Sequence, residues 1–340
     1  MRSLEQILRG AIALKASDIL FSAGVPVAYR VHGKYGYIDS EKLTADDSGA
    51  YVHEILGDEL FERLKAEKEI DTSIRINGYN FRVGAFTHMG SYAASLRVLS
   101  NKIRSFEELE LPQSLADLCN YSSGLILITG ATGSGKSTTM AAMLDYINST
   151  KNGHIITIED PIEYVYESKH SIVTQKEVGR DTLSFKKSLR AVLREDPDVI
   201  AIGEMRDPET ISAAITCAET GHLVISTLDT SSVSGTVARI IDAFDSSLQA
   251  QIRTQLSMTL RGVISQRLIP AAVGTGRVVA YEYAPFTPAL RALIRTGKNH
   301  MIAGQIQLGS GEGMISLQRC IDRLVAEGKI TPEAAEIYGK

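Results

Sequence analysis

Cysteine is scarce in this chain: Cys119, Cys217 and Cys320 lie about a hundred positions apart. That spacing makes neither a metal knuckle nor a disulfide framework, and it points to a reducing compartment. Positive charge is not in excess either. The 36 Lys and Arg against 40 Asp and Glu leave a net charge of −4 and a pI near 6.0, which argues against a nucleic-acid partner held by bulk charge. No stretch reaches the eighteen or so apolar residues of a membrane span, and the opening Met1-Arg2-Ser3-Leu4-Glu5-Gln6 lacks the apolar core of a signal peptide. The expected location is therefore cytoplasmic, with any membrane contact peripheral. There is no internal repeat and no low-complexity tract.

What is present is a globular composition of 44% hydrophobic and 22% charged residues over 340 positions, a length that suggests two domains. Within it, Gly130-Ala131-Thr132-Gly133-Ser134-Gly135-Lys136-Ser137 fits the phosphate-loop pattern G-x-x-x-x-G-K-[ST] at every fixed position. The apolar run Gly124–Thr129 before it suits a buried strand, and the segment from Thr138 to Ile147 after it has helical spacing. Strand, glycine turn and helix start together form an anion site, because backbone N–H groups and the helix dipole converge on phosphate oxygens. Lys136 is expected to reach the β- and γ-phosphates of ATP, and the Ser137 hydroxyl to ligate Mg2+.

Before about residue 100 the chain reads as a small α+β module. Ser3 and Gln6 make a capping box for a helix with Leu4, Ile7, Leu8 and Ala11 on one face. Strand-like runs follow at 27–31, 70–76, 79–86 and 92–98, and Asn77-Gly78 marks a hairpin. Alternation in 79–86 puts Tyr79, Phe81, Val83 and Ala85 on one face, with Asn80 and Arg82 on the polar one. Residues 101–112, charged and aperiodic, read as a linker between a domain over 1–100 and another over 113–340. In the second domain apolar strands at 125–129, 155–158, 199–203 and 223–227 alternate with helices, the signature of a mostly parallel sheet. After about residue 247 the pattern becomes helical, with Leu248, Ile252, Leu256, Leu260 and Ile264 as one stripe and Leu317, Cys320, Ile321, Leu324 and Val325 as another.

Hydrolysis needs carboxylates beyond the loop. One acidic cluster, Glu159-Asp160-Pro161-Ile162-Glu163, follows a strand, and Asp160 in it suits a turn cap. Another strand ends in Gly203-Glu204, where Walker B strands commonly carry an Asp; here that position is Gly203. Magnesium is therefore expected on Ser137, water, Glu159 and Glu163, which leaves Glu204 to orient the attacking water.

These motifs resemble those of secretion-type hexameric ATPases, and within them the PilT-like retraction ATPases of type IV pili. The resemblance rests on the loop from Gly130 through Thr138 and Thr139, the acidic box 158–164, the box Gly203-Glu-Met-Arg-Asp207, and Ala218-Glu-Thr-Gly-His222 through Asp229-Thr230. Gln251–Ser257, Ala289–Lys298, Ala16-Ser-Asp-Ile19 and Arg30-Val-His-Gly33 extend it over nearly the whole chain. It implies an α/β protein, a RecA-like P-loop NTPase core with a smaller PAS-like N-terminal domain, assembled as a homohexamer with nucleotide between the two domains. It also implies that Arg82 and Arg97 move toward the phosphates and that His222 senses the γ-phosphate. The alternatives are sheet-surface arginines and a structural histidine at a strand start. The implied partners are an inner-membrane pilus platform protein and a paralogous pilus ATPase, and the implied work is pilin withdrawal. Pilus-assembly or secretion ATPases, and an accessory ring of weak turnover, are the rival readings. The chain departs from the family at Asp229, where a second histidine is usual, and at Asn80 and Gly84. An ionised aspartate cannot donate a hydrogen bond and repels phosphate. Either Asp229 works as an acceptor or relay, or the site is slower than in relatives.

Overall fold

The structure, a computed structural model, describes residues 2–31, 34–38, 40–99, 102–274 and 276–339; His32, Gly33 and the start of the expected linker lie outside the described residues. The chain divides into two compact units. The first comprises Met1–Lys102, Asp160–Val165 and Glu177–Asp181, and the second takes the remainder.

In the first unit, helix α1 (Leu4–Ala13) carries the Ser3–Gln6 capping box and buries Leu4, Ile7, Leu8 and Ala11, the face its spacing requires. Strands β1 (Asp18–Phe21), β2 (Ala28–Val31), β3 (Lys34–Tyr37), β4 (Glu69–Ile76), β5 (Tyr79–His88) and β6 (Ser91–Val98) form an antiparallel sheet in the order β3-β2-β1-β6-β5-β4. Helix α2 (Ala45–Glu67) is bent at Gly57, where φ is 71°, and shares one core with α1 and the sheet. Asn77 and Gly78, with φ of 51° and 82°, make the tight turn that pairs β4 with β5. Two residues depart from the alternation expected there. Tyr79 is exposed and Asn80 buried, while Phe81, Val83 and Ala85 fill the core as expected.

The second unit contains α3 (Ser114–Cys119), β7 (Gly124–Thr129), α4 (Lys136–Thr150), β8 (His154–Glu159), β9 (Ile172–Glu177), α5 (Phe185–Val192), β10 (Val199–Ile202), α6 (Pro208–Glu219), β11 (Leu223–Leu228), α7 (Val233–Asp242) and α8 (Ser246–Thr259). There follow β12 (Leu260–Pro270), β13 (Arg277–Pro285), α9 (Pro288–Arg295), α10 (Ile302–Leu308), α11 (Leu317–Ala326) and α12 (Pro332–Tyr338). The sheet order is β13-β12-β7-β11-β10-β8-β9. The five central strands run parallel, and β13 returns antiparallel to β12. Strands β7, β10 and β11 are buried at every position, as expected of parallel strands covered on both faces. This is the RecA-like α/β core.

The helical stripe expected to run through Leu260 and Ile264 stops at Thr259; both residues lie in β12. A spacing of four satisfies the helical period and also the two-residue period of a strand, so the stripe could not distinguish them. Tertiary pairing decided the outcome, since β12 sits between β7 and β13. Phe106 and Leu111, in the segment read as a linker, are buried in the core of the second unit. All three cysteines are buried, and burial pushes the Cys119 thiol up to about 12 and Cys217 up to about 11. Neither is a nucleophile at neutral pH. Among the described residues no helix is long and apolar enough to cross a membrane.

Candidate active site

Parallel strands end together, so whatever follows β7, β11, β10 and β8 gathers along one edge of the sheet. Thr129 pairs with Leu228, and Ile202 lies level with both Ser226 and Ile158. The residues just beyond are the loop 130–137, Asp229, Gly203 to Arg206, and Glu159. Neighbouring strands are about 4.8 Å apart, so the end of β10 lies about 10 Å and that of β8 about 14 Å from the end of β7.

The loop is built for an anion. Gly130, Gly133 and Gly135 have φ of 147°, 78° and 93°, values that side chains oppose. A Cβ on Gly130 would also collide with the Gln266 carbonyl and the Ser134 side chain. Helix α4 starts at Lys136 with no side-chain cap and no acidic residue in its first turn, and such a helix start favours an anion. Ser134 Oγ is buried with no hydrogen-bond partner. Phosphate oxygens fit both requirements.

Sequence reasoning missed what holds the loop in shape. Gln266 of β12 is 1% exposed; its Nε2 donates to Ser134 O at 2.9 Å, and its Oε1 accepts from Thr139 Oγ1 at 2.9 Å. One amide thus ties the loop to the first turn of α4. The signal was weak, a lone glutamine in a strand-like run about 130 positions away. Gln266→Leu leaves Ser134 O and Thr139 Oγ1 without buried partners. Each such group costs about 1–3 kcal/mol, so nucleotide affinity is expected to fall about tenfold or more in equilibrium titration with ADP.

Lys136 Nζ donates to Gly130 O at 2.8 Å, to Ala131 O at 3.2 Å and to Asp229 Oδ1 at 2.5 Å. Glu204 is fixed from both sides. Gly203 N donates to Ile158 O at 2.8 Å, Thr227 Oγ1 to Gly203 O at 2.6 Å, and Met205 N to Thr227 O at 3.1 Å. The Glu204 carboxylate, 23% exposed, accepts from Arg206 Nε at 2.9 Å. Glu159 is buried, and its Oε1 accepts from Thr157 Oγ1 at 2.6 Å and Gln175 Nε2 at 3.1 Å. Among the described residues no group of three or more His, Cys, Asp or Glu side chains could hold a metal ion. Mg2+ keeps its waters and binds through phosphates and one or two protein oxygens rather than in a protein cage. Ser137, in the first turn of α4, fits that partial role.

Arg82, Arg97 and Glu163 belong to the first unit. Arg82 and Arg97 stand directly opposite each other on β5 and β6. Such a like-charged pair is unfavourable unless anions accompany it. Arg82 Nη2 donates to Asp71 Oδ2 at 2.5 Å, and Arg97 Nε to Asp18 Oδ1 at 3.0 Å. The Arg82 guanidinium is held more firmly protonated, chiefly by its hydrogen bond to Asp71 and, more weakly, by the charges of Asp71, Glu163 and Asp160; desolvation opposes this. Glu163 thus lies near Arg82, and both belong to the first unit. The segment carrying Glu163 is anchored by Glu177, another residue sequence reasoning missed. Glu177 is 1% exposed, and it accepts from Thr72 Oγ1 at 2.8 Å, Ser73 N at 3.0 Å and Ile162 N at 3.0 Å.

His222 is not brought to the loop. It directly precedes Leu223, which pairs with Gly124 at the start of β7, so the length of the strand separates it from Asp229 and the phosphate loop. Its Nδ1 lies 3.0 Å from Cys217 O and 3.3 Å from Thr220 Oγ1. Within one chain it is a satisfied histidine at a strand start, and the γ-phosphate role expected for it has no geometric basis there.

A RecA-like sheet with a complete phosphate loop and a fixed strand-end glutamate on the same edge defines a P-loop ATPase. The profile of the family described as "Type II/IV secretion system protein" matches residues 1–278. The chain belongs to that family. It is 46% identical over 326 residues to the type IV pilus retraction ATPase PilT of Pseudomonas aeruginosa, covering 96% of this chain and 94% of that one. It is 44% identical over 307 residues to the twitching motility protein of Neisseria gonorrhoeae, covering 90% and 82%. Among solved structures, that of the pilus retraction motor PilT with bound ADP superposes with a TM-score of 0.92 at 45% identity, covering 98% of this chain and 96% of that one.

Proposed function

We propose that this chain is the ATP-driven motor of type IV pilus retraction. It would work as a homohexamer at the inner face of the cell membrane, on a platform protein and alongside a paralogous ATPase. The observation that carries the reading is similarity to a retraction ATPase over 96% of the chain, together with an intact loop and Glu204 on one edge of the sheet.

In this mechanism the loop N–H groups from Gly130 to Thr138 and the Lys136 ammonium hold the β- and γ-phosphates. Ser137 and Glu159 would hold Mg2+, which neutralises charge on the β- and γ-oxygens when bound. Glu204 orients the attacking water and accepts its proton, leaving Arg206 to do so. Arg82 and Arg97, released from Asp71 and Asp18, supply guanidinium charge where the transferred group becomes more negative. Glu163, beside Arg82, is proposed to act in that exchange. Asp229 on Lys136 favours the second reading, an accessory ring of weak turnover.

A strain lacking the gene separates retraction from assembly. Surface pili in excess with twitching abolished are the expected phenotype, and bald cells would assign the chain to assembly. A turnover rate unchanged by added DNA is expected if nucleic acid is no partner.

A further inference from the structure

Lysine has three ammonium hydrogens and no more. In this chain all three are taken inside the protein, by Gly130 O, Ala131 O and Asp229 Oδ1 at 2.8, 3.2 and 2.5 Å. A phosphate oxygen can therefore reach the Lys136 ammonium only by displacing one of them. The two carbonyls are part of the loop that must keep its shape. The carboxylate is the partner with the same charge as the incoming ligand, and at 49% exposure it can withdraw into solvent, whereas Lys136 at 12% cannot.

Asp229 is also held where it must compete. It directly follows β11, the strand between β7 and β10. Gly130 N donates to Leu228 O at 3.3 Å, so the backbone just before Asp229 is tied to the first glycine of the loop. The β11–β7 ladder remains in register up to Leu228 and Thr129.

We propose that Asp229 is a built-in competitor of nucleotide phosphate for Lys136. It occupies the ammonium in the empty site, is expelled by ADP or ATP, and returns to speed product release. It acts through Lys136 and is a positioning residue, not a catalytic one. The proposal rests on nucleotide binding at this loop, and its test is arranged so that the two can fail separately.

The experiment is equilibrium titration of the full-length protein with Mg-ADP, comparing wild type with Asp229→Asn, Asp229→Ala and Asp229→Glu at low and high salt. Removing a half-exposed competing ion pair and its repulsion of phosphate should tighten ADP binding about five- to tenfold in the Asn and Ala variants. Asp229→Glu keeps the charge and should stay weak. The advantage of Asn over wild type should shrink as salt screens the carboxylate, which a merely structural role would not reproduce. Stopped-flow release of ADP should slow by a similar factor. Unchanged or weaker ADP binding in both neutral variants would overturn the proposal, as would equal tightening by Asp229→Glu. Lys136→Met serves as control. If wild type binds ADP and this variant does not, the nucleotide site stands whatever Asp229 does; if both bind alike, the site itself is misassigned.

Discussion

Glu204→Gln is expected to bind ATP about as well as wild type and to hydrolyse it at least a hundredfold more slowly. The amide has nearly the shape of the carboxylate, and its neighbours are fixed by backbone: Gly203 to Ile158 and Thr227, Met205 to Thr227. Folding and the phosphate loop are therefore untouched. What is lost is an acceptor able to take a proton from water, and such a general base contributes about 10²–10⁴ in rate. Arg206 loses its ionic partner as well, but at 78% exposure that pair adds little to stability. The measurement is phosphate release under saturating Mg-ATP beside ATP binding on the same preparation. Retained binding with retained turnover would remove Glu204 from the chemistry.

Lys136→Ala is expected to weaken ADP and ATP binding more than a hundredfold. A charge-assisted hydrogen bond is worth about 1.5–3 kcal/mol, and the substitution has a second cost peculiar to this chain. Asp229, which pairs with Lys136 at 2.5 Å, would be left as an uncompensated carboxylate beside the phosphates. Isothermal titration should show no resolvable ADP binding for Lys136→Ala and partial recovery in the double variant Lys136→Ala with Asp229→Asn. Two variants that bind identically would mean that the Asp229 charge does not act on the bound phosphates.

Much of this site could be read in the sequence because its parts are contiguous. The phosphate loop is eight consecutive residues between a buried strand and a helix, and Glu204 ends an apolar run; sheet topology then brings the two to one edge without further information. His222 and Asp229 show where contiguity misleads. They flank one strand, Leu223–Leu228, and at about 3.3 Å per residue a six-residue strand carries its two ends about 20 Å apart. Only the residue after the strand reaches the loop. The counter-ions of Arg82 and Arg97 were not legible for a related reason. Asp18 faces Arg97 across β1 and β6, and Asp71 reaches Arg82 diagonally from β4, so both pairings depend on strand register. Gln266 depended on a strand, β12, whose spacing of four also suited a helix.

The central claim is that the loop and Glu204 form one working hydrolytic site. Multiple-turnover phosphate release from Mg-ATP by the purified full-length wild-type protein tests it most directly. Sustained turnover, falling to background in Glu204→Gln, is the expected result. Nucleotide bound at the loop with wild type no faster than Glu204→Gln would contradict it and leave the chain as a nucleotide-gated ring without a motor's chemistry.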